Sequence, residues 1–245
     1  MEITDINCMV GRLPTWTRFT EADELLRAMD TYRIARAVVY HADALWNAGR
    51  GNEQVRDIAA ESDGRIQACY VLRPQLGGGE MPPGDRLLAQ IRSERPAAVR
   101  LLPANDGYPL DRFFCGELLE VLSEARLPVM IDYDGQVGSK LPSLVADFPE
   151  LPIVLVRVAF RQSAMILPLL AKTNSVYVDI GALADSGLID EIVSRIGSGQ
   201  LLLGSGMPQY MPAGSLGLVM YAQIGEDDRA AILWRNWQRL QEARQ

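Results

Sequence analysis

Short β-branched runs alternating with amphipathic stretches predict an α/β chain folded as a single-domain (β/α)8 TIM barrel. Three observations carry this reading. The alternation repeats eight times at about 30 residues per unit, the scale of one βα unit. The central runs are apolar nearly throughout, as parallel strands buried on both faces are. Eight such units typically fill about 250 residues, and this chain has 245. The alternative, an open doubly wound sheet, usually opens with a glycine-rich first turn. The first turn here, NCMVGRLPTW, contains no GxGxxG.

The elements follow in order. EITDINC (2–8) is the first strand, and ADELLRAMDTY after it sets Leu25, Leu26, Met29 and Tyr32 near one helical face. ARAVVYH (35–41) and RIQACYVL (65–72) are the second and third strands. The cluster GGGEMPPG (77–84) follows the third strand and is not expected to open a helix, so it reads as a flexible rim and not as a phosphate cradle or a domain linker. AAVRLL (97–102) is the fourth strand. GELLEVLSEA, with Leu118, Leu119 and Leu122 on one face, leads into the fifth, LPVMID (127–132). LPIVLV (151–156) and SVYVDI (175–180) follow, and LIDEIVSRI aligns Leu188, Ile192 and Ile196 before the eighth run, QLLLG (200–204). The last segment, EDDRAAILWRNWQRLQ, starts with acids and ends with arginines, as a helix dipole prefers. No domain boundary interrupts the series, so one domain spans 1–245.

Composition narrows the function. With 24 Lys+Arg against 31 Asp+Glu the net charge is −7, and no basic run stands out, which argues against a nucleic-acid partner. The three cysteines, Cys8, Cys69 and Cys115, have no CxxC spacing and read as buried free thiols in a reducing compartment. MEITDINCMVG lacks the basic and apolar regions of a signal peptide, and no apolar run approaches the ~18 residues of a membrane span. The expectation is a cytoplasmic protein with no membrane partner, assembling as a homo-oligomer (a dimer). The single histidine, His41, rules out a multi-histidine metal centre.

Barrels of this kind place their chemistry at the C-terminal strand ends. Those ends carry Asn7 and Met9, His41, Arg73, Arg100 and Leu102, Asp132 and Asp134, Arg157, Asp179, and Ser205 with Gly206. Asp132 and Asp134 stand two apart, so both carboxylates can enter the mouth about 6–7 Å from one another and serve as general acid or base. The structural alternative is that Asp134 caps the next helix and Asp132 pairs with Arg157. Arg73, Arg100 and Arg157 together would make an anion pocket, since arginine grips carboxylate or phosphate bidentately and keeps its charge. They could equally serve as partners of Asp132, Asp134 or Asp179. His41 and Asp179 are the alternative proton-transfer groups, with a hydrogen-bonded structural role the simpler reading of His41. Asn7 and Ser205 are candidate substrate contacts. Trp16 and Trp46 lie in rim loops as a possible apolar lid or as ordinary packing. AGSLG (213–217) mimics a nucleophile elbow but has neither the preceding strand nor a later histidine. A Cys8–His41 nucleophile–base pair stays open.

The same strand ends resemble the amidohydrolase-related family that includes aminocarboxymuconate semialdehyde decarboxylase. The resemblance runs through ITDINCMVG, ADELLRAMDTYRIARAVVYHA, AVRLLPANDGYPLD, LPVMIDYD, FPELPIVLVRV, SVYVDIG and LLLGSGMP, in order across nearly the whole chain. It implies a barrel of the amidohydrolase type. The family's metal-ligand positions fall on Asn7, Met9, Asp132, Arg157 and Gly206, and a commonly occurring lysine falls on Arg100. Thioether and neutral amide are poor zinc ligands, and an arginine places a permanent cation where a divalent ion would sit. The expectation is therefore no cofactor. Two functions follow: a metal-independent hydrolase or decarboxylase-type lyase acting on a small carboxylated substrate held by arginines, or a non-catalytic relative that binds a small anion or serves in an assembly.

Overall fold

The computed structural model describes residues 2–14, 21–74, 82–159, 163–183 and 187–244. Strands β1 (Thr4–Val10), β2 (Arg36–His41), β3 (Ile66–Val71) and β4 (Ala98–Leu101) alternate with helices α1 (Ala22–Tyr32), α2 (Ala48–Ala60) and α3 (Gly84–Glu94). After β4 come the short α4 (Pro103–Asp106) and α5 (Arg112–Glu124). β5 (Val129–Asp132), α6 (Gly135–Asp147), β6 (Ile153–Val156), α7 (Ser163–Leu170), β7 (Val176–Asp179), α8 (Leu188–Ile196) and β8 (Leu201–Leu202) continue the pattern. The chain ends in α9 (Pro212–Tyr221), then α10 (Glu226–Ala230) running through a π-helical turn into α11 (Asn236–Glu242).

The eight strands form one parallel sheet in sequence order. It closes into a barrel between β8 and β1. Ile6 N donates to Leu203 O at 2.9 Å, Gly206 N to Asn7 O at 2.9 Å, and Met9 N to Met207 O at 2.8 Å. The pairing of β1 with β2 shifts register between Asp5 and Cys8.

Side chains alternate across each strand, so the core has two shells. Outward residues such as Val39, Ile131, Leu155 and Val178 pack on Leu25, Met29, Leu122 and Ile192 of the helices. Inward residues such as Ile6, Val38, Cys69, Met130 and Val154 fill the barrel, closed from below by Trp237 and Leu240 of α11. Trp237 finds its partner there, donating to Gln67 Oε1 at 3.0 Å.

The helices start where capping side chains allow. Asn47, Asp111 and Asp134 accept from the third residue on, at 2.9, 3.2 and 2.7 Å, at the N-termini of α2, α5 and α6. The glycine–proline cluster after β3 corrects the sequence expectation at its end. Gly84 opens α3 behind Pro83, whose ring presets φ, and Gly84 N is received by Glu117 Oε1 of α5 at 3.1 Å. Residues 77–81 of that cluster lie outside the described residues. All three cysteines are buried free thiols. Among the described residues no helix is long and apolar enough to cross a membrane.

Candidate functional site

A continuous polar chain crosses the barrel at its C-terminal end. Asp179, the last residue of β7, accepts from Asn7 Nδ2 at 2.9 Å. Asn7 Oδ1 accepts from Arg100 Nη1 at 3.0 Å. Arg100 Nη2 pairs with Asp132 Oδ1, and Asp132 Oδ2 lies 3.6 Å from Arg157 Nη1. They come from five strands around the barrel: Asn7 lies within β1, Arg100 within β4, Asp132 and Asp179 end β5 and β7, and Arg157 lies just past β6.

The chain grades from buried to open. Asp179 and Asn7 are buried, and the Arg100 side chain is only 1% exposed while that of Asp132 is 38% exposed. A buried guanidinium needs partners on all sides. Arg100 has the two acceptors above and the face of the Tyr40 ring, 4.8 Å from its centre, while its buried Nε has no acceptor among the described residues. Arg157 sits at φ 59° just beyond β6, and its Nε has no acceptor among the described residues.

Burial pushes the Asp179 carboxyl up to about 7. The Gly181 N–H (2.7 Å) and the Asn7 amide hold it down in part, as does Arg100, while the nearby Asp5 adds to the rise. Asp179 fits only because its neighbours are glycines. A Cβ on Gly204 would lie 2.5–2.6 Å from the carboxylate, and one on Gly181 would lie 1.9 Å from Gly204 O. Asp5 is wholly buried at the β1 register shift, and burial raises its carboxyl too. It accepts from Asn7 N at 3.1 Å and Ser205 N at 2.9 Å, so it stitches β1 to the closing segment.

The other sequence candidates have different surroundings. Asp134 caps α6 through Val137 N. Arg73 is clamped by Asp106 (Nε to Oδ2, 2.9 Å) and by the carbonyls of Ala44 and Leu45, at 3.1 and 2.9 Å. Ser205 is buried, and its Oγ accepts from Met207 N at 3.1 Å. His41 caps the 3-10 turn Ala42–Leu45, with Nδ1 accepting from Asp43 N at 3.1 Å, which leaves the proton on Nε2. Burial, more than any charge, lowers its pKa. Cys8 is packed in the outer core, where burial and then Asp5 push its thiol well up, the reverse of an activated nucleophile. Trp46 is exposed, Trp16 lies outside the described residues, and AGSLG lies within α9. Sequence reasoning missed Asp5, Tyr40 and Asp106. Asp5 alone left a signal, as an acid inside an otherwise apolar run.

The positions that the resemblance assigns to metal ligands have the following surroundings. The side-chain oxygens Asn7 Oδ1 and Asp132 Oδ1 both accept from Arg100. Gly206 holds φ 79°, and a Cβ there would come within 2.9 Å of the Tyr210 ring. Among the described residues no three His, Cys, Asp or Glu side chains come together as a metal site.

Fold and site define a (β/α)8 barrel with its charged groups converging at the C-terminal strand ends. Residues 14–240 match the amidohydrolase family model, and the chain belongs to that family. No curated protein matches it in sequence. The fold is similar to an uncharacterised TIM-barrel protein of Bordetella bronchiseptica (14% identity, TM-score 0.76, covering 100% of this chain and 99% of that one). It is also similar to 5-carboxyvanillate decarboxylase of Sphingomonas paucimobilis (12%, 0.74, 98% and 99%). A third similar structure is a dihydroxybenzoic acid decarboxylase of Polaromonas with bound manganese (12%, 0.73, 100% and 98%).

Proposed function

We propose that this chain is an amidohydrolase-family enzyme that works without a divalent metal on a small carboxylated substrate held at the barrel mouth. The observation that carries the reading is the charge of the mouth. Arg100 and Arg157 set two guanidinium groups against the one Asp132 carboxylate, in a chain whose net charge is −7. A local positive site in an acidic protein attracts small anions. Arg157 holds Asp132 only at 3.6 Å and its side chain is partly exposed, so it is the group to take a substrate carboxylate.

Asp132 is the proton-transfer group in this reading. It is the exposed acid of the chain, and Arg100 fixes its orientation from behind. A carboxylate paired with arginine is stabilised as the anion, which disfavours its own loss as carbon dioxide. The anchoring carboxylate is thus a handle, and addition of water to an ester, lactone or amide carbonyl elsewhere in the substrate is the favoured step. Water gives its proton to Asp132 as its oxygen bonds to the carbonyl carbon. The proton then passes to the departing alcohol or amine oxygen or nitrogen.

The donor set does not fit a divalent ion. The oxygens that would bind it already accept from a cation that cannot lose its charge. A second reading, a non-catalytic anion-binding relative, is favoured by Asp132 having a guanidinium at each oxygen. Hydrolysis assays on carboxylated lactones, esters and amides, with chelator present, separate the two. Turnover lost in Asp132→Asn supports the enzyme. Carboxylate binding without turnover of any panel member supports the binder.

A further inference from the structure

The barrel carries a second arginine cluster at its opposite end. The C-termini of α3 and α5 and the last turn of the chain surround an open bowl of about 650 Å³, lined by Ile91, Arg92, Arg95, Glu124, Gln241 and Arg244. Its place is fixed by Ala97, the residue before β4, whose carbonyl accepts from Gln241 Nε2 at 3.0 Å and Arg244 Nη1 at 3.2 Å. That is the N-terminal face of the barrel, remote from Asp132 and Arg157.

The charges of the bowl are unbalanced. Arg92 has a carboxylate partner, Glu124, at 2.9 Å. Among the described residues Arg244 bonds to the Ala97 carbonyl and to Gln241 Oε1 at 2.8 Å, and its buried Nε has no acceptor there. Arg95, in the left-handed conformation at the end of α3, makes no ion pair among the described residues. Two neighbouring arginines without a carboxylate partner among the described residues stand out in a chain with more acids than bases. Burial, and then repulsion from Arg95, lowers the pKa of Arg244 to about 10.

We propose that this bowl binds a phosphate-type polyanion, bridged by Arg95 and Arg244 with Arg92 at its edge. Guanidinium forks match phosphate oxygens in geometry and charge. The carbonyl ends of α3 and α5 also open here and carry partial negative charge. They oppose an anion of any charge, so the guanidinium groups supply the whole of the attraction. The bowl is of a size usual for small-molecule sites. Its occupant would tie α3 to the last turn of the chain, and thereby hold the Trp237 and Leu240 plug in the barrel floor.

The test is isothermal titration of the full chain with inorganic pyrophosphate at fixed ionic strength, with succinate as the carboxylate comparison. Saturable pyrophosphate binding is expected, at least about ten-fold tighter than succinate at this site. Arg95→Gln, an exposed substitution, should weaken it at least about ten-fold, and Arg244→Gln likewise. Arg157→Ala should leave it unchanged, which separates this site from the barrel mouth. Absence of pyrophosphate binding overturns the proposal. So does binding that survives Arg95→Gln or that disappears with Arg157→Ala. Should Arg244→Gln fail to fold, the Arg95→Gln result decides alone.

Discussion

Asn7 Nδ2 donates to Asp179 Oδ2 at 2.9 Å, while the oxygen of the same amide accepts from Arg100 at 3.0 Å. One neutral side chain thus joins a buried acid to a buried cation. An amide is suited to this position because it offers a donor at one end and an acceptor at the other.

Asn7→Leu keeps the bulk and removes both bonds. It leaves an Asp179 oxygen and an Arg100 nitrogen buried with one partner fewer. Each such loss costs about 1–3 kcal/mol, so urea unfolding should show a loss of about 2–4 kcal/mol. A change under about 0.5 kcal/mol would mean that the bridge contributes little.

Asp179 makes stability depend on pH. Its carboxyl rises from the ordinary value of 3.8 to about 7 in the folded chain. Between those values the folded state holds a proton that the unfolded state has released, so this group's contribution falls as pH rises and levels off above about 7. Asp5, raised in the same direction, adds to the slope. Asp179→Asn should flatten the decline between pH 4 and 7 relative to wild type, by on the order of 3–4 kcal/mol across the window. Parallel pH–stability curves for the two proteins would refute the assignment.

The glycines of the closing segment are predicted to be intolerant for different reasons. Gly204→Ala drives a methyl to within 2.6 Å of the Asp179 carboxylate, and should cost at least about 2 kcal/mol in thermal or urea unfolding. Gly206→Asp places an acid where the resemblance implies one, but at φ 79° and against Tyr210. It should cost about 1–2 kcal/mol and, by metal analysis of the purified variant, bring in no stoichiometric divalent ion. One equivalent of tightly held metal in Gly206→Asp would contradict the reading of the mouth.

The strands were legible because a continuous apolar run a few residues long has few other places to go in an alternating chain. β8 is the shortest, at Leu201–Leu202, since the Gly204–Gly206 backbone leaves the regular path to meet β1. The pairing of Arg157 with Asp132 was readable as an alternative, because adjacent strand ends must be neighbours. The clamp on Arg73 was not. Its partner Asp106 lies 33 residues on, in a helix of one turn that has no periodicity to announce it. The role of Asp134 was readable locally, as an acid just before a helix. The buried place of Asp5 depended on a register shift in β1, which side-chain alternation alone does not reveal.

Arg73 and Asp106 are predicted to hold the rim together without touching the anion. Arg73→Gln removes a half-shielded pair and two carbonyl contacts, and should lower stability by about 1–3 kcal/mol. Carboxylate affinity should stay within about two-fold of wild type. A ten-fold loss of affinity would move Arg73 into the binding site.

The most direct test of the mouth is calorimetric titration of chelator-treated protein with a panel of small mono-, di- and tricarboxylates, repeated on Arg157→Ala. Saturable binding of at least one carboxylate is predicted to persist in chelator and to weaken at least about ten-fold in Arg157→Ala, the loss expected of a charge-assisted pair. Binding that appears only when a divalent metal is added back, or that is unchanged in Arg157→Ala, would contradict a metal-independent carboxylate site built on that arginine.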